Sequence, residues 1–96
     1  MKPTIDLLRK ALKKCAEAHK VQCEDWPEDG QLGIKSESVP VVADVKSICR
    51  AFCGEANVTE TAWGYITVHL DDAEYAFLPE VDETLLKMSL PYGTEL

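Results

Sequence analysis

Ile5, Leu8, Leu12, Cys15 and His19 recur at steps of three and four, the spacing of one face of a helix. Ala11, Ala16 and Ala18 widen that stripe, while Arg9, Lys10, Lys13, Lys14, Glu17 and Lys20 fall opposite it. Thr4 supplies an N-cap and Asp6 a first-turn acid that suits the helix dipole. After Lys20 the period drops to two. Val21 and Cys23 alternate with polar neighbours, as do Leu32 and Ile34, and Trp26-Pro27-Glu28-Asp29-Gly30 between them predicts a hairpin loop. Trp26 is expected to act as a lid on the core, because Trp side chains are mostly buried.

Helical periodicity returns with Val41, Val42, Val45, Ile48, Cys49, Phe52 and Cys53 on one broad face. Ser38 caps this second helix near Pro40, and Gly54 ends it. The remaining pattern predicts a three-stranded meander over 58–62, 65–70 and 74–78, with Trp63-Gly64 and Asp71-Asp72-Ala73 as its turns and Pro79 as its stop. Asp82 opens a short final helix through Met88, with Val81, Leu85 and Met88 inward, in preference to an edge strand aligning Leu86, Met88 and Leu90. Residues 91–96 form a loose tail. The expected architecture is α+β, a single domain over 1–96 of order αββαβββ(α). Two main helices pack on one face of an antiparallel sheet made of a hairpin and a meander.

The 96 residues, 46% of them hydrophobic, are enough for one core without staples. No apolar run approaches the roughly 18 residues of a membrane span. Arg9 and Lys10 interrupt the apolar start before a signal-peptide core can form. The expected location is cytoplasmic, and the four cysteines are read as reduced thiols.

Charge then changes the picture. Residues 1–20 carry six basic and two acidic side chains, a net of +4; residues 21–96 carry four basic and fifteen acidic ones, a net of −11. Such a split bears on partners. Direct nucleic-acid binding is disfavoured, since phosphate is repelled by the acidic majority and no aromatic residues interleave the lysines.

Candidate chemistry is sparse. Cys15 and His19 are four apart on one helix, and Cys49 and Cys53 four apart on the next, so facing helices present a Cys₃His set of zinc ligands. All four lie on apolar faces that must pack anyway, and core packing is preferred. A small thiol- or metal-dependent enzyme, or a zinc-stabilised domain using Cys15, His19, Cys49 and Cys53, is therefore the alternative reading. The chain lacks a nucleophile elbow, an HExxH helix and a Gly-rich phosphate loop. No catalytic activity, cofactor or metal is expected.

Acids cluster in the first hairpin (Glu24, Asp25, Glu28, Asp29), around the later turn (Asp71, Asp72, Glu74) and after Pro79 (Glu80, Asp82, Glu83). If they lie on one side of the domain, they form a surface for a Lys/Arg-rich partner, a basic protein or nucleic-acid-binding complex. In size, acidity and lack of motifs the chain resembles the small phage-encoded inhibitors of bacterial defence, of which anti-CRISPR proteins are one class. That likeness of class covers no alignable residues. It implies an inhibitor or adaptor that competes electrostatically with DNA or guide RNA, with Glu28, Asp29, Asp71, Asp72 and Glu74 as contact residues. A homodimer, one copy's basic helix against another's acidic face, is also compatible with the charge split.

Overall fold

A computed structural model describes residues 1–90; the tail at 91–96 lies outside the described residues. Helix α1 (Ile5–Ala18) starts where expected, with Thr4 Oγ1 accepting from Leu7 N at 3.1 Å. Its inner face is Leu8, Ala11, Leu12, Cys15 and Ala16, all essentially without solvent contact; Ala18 is exposed. Helix α2 (Val39–Cys53) buries Val41, Val45, Ile48, Cys49 and Phe52 against it.

Strands β1 (Cys23–Trp26), β2 (Gln31–Ile34), β3 (Thr59–Ala62) and β4 (Tyr65–His69) form one antiparallel sheet in the order β1-β2-β4-β3. The expected hairpin and the first turn of the meander are both present. They join because β4 pairs directly with β2, Leu32 opposite Val68 and Ile34 opposite Ile66. Those four residues are fully buried and share the core with α1 and α2. The fold class is α+β, as the periodicities imply.

Two expectations about the sheet are corrected. The third meander strand over 74–78 is absent. Instead the chain leaves β4 directly into helix α3 (Leu70–Tyr75). With β2 on one side and β3 on the other, β4 has no free edge for another strand. Leu70 and Ala73 bury at helical spacing, and Asp71 and Asp72 sit in the first turn where the dipole favours them. The second correction concerns Trp26. Cys23 and Asp25 take the inward positions of β1, so alternation sends Trp26 to the opposite face of the sheet. There the indole covers Gly33, whose added Cβ would stand 2.6 Å from Trp26 Cη2, and it lies 6.2 Å from the Tyr65 ring. Trp26 is a lid on the outer face and not on the core.

Helix α4 (Glu83–Ser89) confirms the preferred reading of the last segment, capped by Asp82 Oδ1 accepting from Leu85 N. Val81, Leu86 and Ser89 turn inward and Leu85 is half-buried, whereas Met88, expected inward, is exposed. The connection before it closes the end of α2: Leu78 N donates to Phe52 O and Asp82 N to Ala51 O, both at 2.8 Å. Carbonyls in the last turn of a helix otherwise lack partners.

Two cations on the basic face of α1, Arg9 and Lys13, find a counter-charge on β1. Asp25 Oδ2 lies 3.2 Å from Arg9 Nε and 3.0 Å from Lys13 Nζ. The spacing-favoured Lys13–Glu17 pair is not formed; Glu17 is exposed.

Candidate functional site

The loop between β1 and β2 is a 3₁₀ turn (Pro27–Asp29) closed by Gly30 at φ +63°, a left-handed conformation that glycine adopts without steric penalty. Gly30 O accepts from Leu70 N at 2.8 Å. The Asp71 carboxylate occupies the volume that a Cβ on residue 30 would fill. These contacts lock the first turn of α3 onto the hairpin loop. Glu28 and Asp29, remote in sequence from Asp71 and Asp72, thereby share one end of the sheet.

All five expected contact residues, Glu28, Asp29, Asp71, Asp72 and Glu74, are exposed. None has a cationic partner among the described residues. Three other acids of the clusters are employed differently. Asp25 points inward to Arg9 and Lys13, Glu80 pairs with the Met1 amine at 2.7 Å, and Asp82 caps α4. The Glu80 carboxyl is held below its ordinary range by its hydrogen bond from, and attraction to, that amine. The post-Pro79 cluster is thus structural in Glu80 and Asp82.

The periodicity-based reading missed Tyr75. Placed in a strand, it had no special standing; on α3 it is 93% exposed, one turn beyond Asp71 and Asp72. An aromatic ring amid carboxylates is the composition of an interface anchor. The helical spacing of Leu70, Ala73 and Phe77 was the available signal for this. Trp63, in the tight turn with Gly64 at positive φ for both residues, is 96% exposed. On the open face of the sheet His69 receives the Gln31 amide at Nδ1 and faces Glu60 at Nε2, each at 3.4 Å.

No protein-family model, curated protein or solved structure matches this chain.

The four thiols are free and poorly suited to nucleophilic work. Burial is the main cause that pushes Cys15 to about 11, with the Asp44 charge adding to it; burial likewise pushes Cys49 to about 12 and Cys53 to about 11. Cys23 is raised as well, again chiefly by burial. An unfolded chain releases these protons near the ordinary value of 9.0, so the folded state retains protons the unfolded state has lost. The stability linked to the thiols is intact below pH 9 and is lost as pH rises from 9 through about 11–12. Chemical denaturation between pH 8 and pH 11 should show this decline. At pH 8, iodoacetamide should label Cys15 and Cys49 at least about tenfold more slowly in the native than in the unfolded protein. Equal rates would contradict the burial.

The alternative Cys₃His set across the two helices is not assembled among the described residues. Cys53 Sγ instead donates to Ala73 O at 3.5 Å. Cys15 and His19 do converge, as their spacing requires, and the third donor beside them is Asp44 of α2.

Proposed function

We propose that this chain is a non-catalytic binding protein whose acidic sheet end docks onto a basic surface of another protein, of the kind that otherwise holds nucleic acid. The observation that carries the reading is the lock of Asp71 over Gly30, which gathers Glu28, Asp29, Asp71 and Asp72 with no cationic partner among the described residues. Like charges brought together repel, and a fold selected only for solubility has no need to fasten them side by side. Glu74 and Tyr75 extend the surface along α3, Tyr75 as the apolar anchor.

In this role the chain acts as an inhibitor or adaptor, and competition with DNA or RNA for the partner's cationic surface is the mechanism. The phage-encoded inhibitors it resembles in size and acidity, the anti-CRISPR proteins among them, offer the nearest functional class. The proposed setting is the cytoplasm, in keeping with four unpaired thiols. No helix among the described residues is long and apolar enough to cross a membrane.

Fluorescence anisotropy with a labelled Lys/Arg-rich peptide tests the proposal directly. Binding should weaken about tenfold or more as ionic strength rises from about 0.05 M to about 0.3 M. D71K/D72K should lose at least about tenfold at low salt, and Y75A a comparable amount. Labelled duplex DNA should not bind. Peptide affinity indifferent to both salt and charge reversal would refute the acidic end as the interface.

A further inference from the structure

The acidic end leaves unexplained a second gathering of polar groups, where the C-terminal end of α1 meets α2. We infer that Cys15, His19 and Asp44 form a binding site for a zinc-class metal ion that ties these two helices together. This inference is independent of the binding role proposed for the acidic end, since it uses none of the same residues.

The geometry is set by the backbone. Cys15 and His19 stand one helical turn apart, so their side chains point the same way. His19 N donates to Cys15 O at 3.1 Å, which fixes the backbone that carries the imidazole at the end of α1. The chain then reverses at Lys20, a non-glycine residue at φ +57°, with Val21 N closing back onto Ala16 O. Asp44 enters from α2, and its Oδ2 lies 2.7 Å from His19 Nε2.

One donor atom from each residue lies within 4.8 Å of the other two. Around a tetrahedral zinc, bonds of about 2.0–2.3 Å place donors roughly 3.3–3.8 Å apart. The imidazole–carboxylate contact must therefore open slightly and the thiol approach slightly, changes within reach of small side-chain rotations. The donor set also fits the ion. Thiolate, imidazole and carboxylate are all zinc ligands, and the two anions offset a divalent charge. Cys15 is wholly buried, whereas the side chains of His19 and Asp44 are 26% and 37% exposed. The thiol thus forms the floor of the site and the other two its rim, so that water can complete the tetrahedron from outside. On binding, the Cys15 thiol gives up its proton to solvent as the sulfur–metal bond forms.

A simpler account is a His–Asp hydrogen bond lying beside a core thiol, and it makes a different prediction. Full-length protein stripped with chelator and then freed of it would be titrated with cobalt(II), which substitutes for zinc and reports thiolate ligation by a charge-transfer band in the near ultraviolet. The band should saturate at one equivalent and disappear on adding zinc, and zinc should raise Tm. H19Q and D44N alter half-exposed groups, leave the core packing in place, and should each weaken cobalt affinity about tenfold or more. C15A should abolish the band, with circular dichroism confirming its fold. C23S, which removes the half-buried thiol outside the trio, should leave binding unchanged. Absence of the band in the native chain, cobalt affinity unaffected by H19Q and D44N, or loss of binding in C23S would each overturn the assignment.

Discussion

Replacing Phe52 by alanine should destabilise the protein by about 3–5 kcal/mol, measured by urea denaturation. Phe52 is the largest fully buried side chain and lies in the one core shared by α1, α2 and the sheet. Truncation removes its transfer free energy and leaves a cavity in that close-packed core. It also removes an aromatic pair, since the Phe77 ring lies 6.2 Å away at a 49° tilt. Because the Phe52 carbonyl holds Leu78 N, a shift of α2 there would loosen the connection to α4 as well. Small domains are typically stable by only about 5–15 kcal/mol, so this one change removes a large part of the total. A loss below about 1 kcal/mol would mean that the core is not built around this ring.

The second large effect is expected at Gly30. A Cβ there must adopt a left-handed backbone, at about 1–2 kcal/mol, and it collides with the Asp71 carboxylate. Gly30→Ala should therefore cost about 2–3 kcal/mol in all. The two contributions can be separated. Adding Asp71→Ala to Gly30→Ala relieves the collision and leaves the backbone strain, so the double variant should be more stable than the sum of the single changes implies. Strict additivity in thermal or urea denaturation would show that Asp71 does not sit on the turn, and the common origin of the acidic surface would fall with it. In Gly30→Ala alone, displacement of α3 should also weaken binding of a basic peptide.

Much of the fold was readable from spacing. The two main helices rest on long runs of three-and-four periodicity, as in Leu8–Leu12–Cys15 and Val45–Ile48–Phe52, where many residues agree on one answer. The Trp63-Gly64 turn was equally visible. Spacing does not resolve the segment after His69, because Asp71-Asp72 is as good a start for a helix as for a turn, and six residues give periodicity little to work with. What decides it is that β4 already has both edges paired, a fact of tertiary arrangement that no local window contains. Trp26 was misplaced for a related reason. Its burial was anticipated, but which face of β1 is inward depends on Asp25 finding cations on α1. The carboxylates of the acidic end were each visible. That Asp71 lies on the Glu28–Gly30 turn was not, because some forty residues separate them. Asp44 could not have been matched to Cys15 and His19 without knowing how α1 crosses α2.

The Asp25 contact has a consequence for association. A strand at the margin of a sheet offers unpaired amides and carbonyls to any extended chain that approaches, and β1 holds such a position. An inward-pointing charge on a marginal strand is a device by which proteins discourage edge-to-edge joining, because a chain added there would crowd or desolvate it. Here the device takes both signs: Asp25 from the strand, and Arg9 with Lys13 from the helix beneath it. Part of the positive charge concentrated in the first twenty residues therefore guards a vulnerable margin of the sheet. Selection on Arg9 and Lys13 need not reflect a ligand at all, and the β1 margin can stay unpaired without recruiting a further strand.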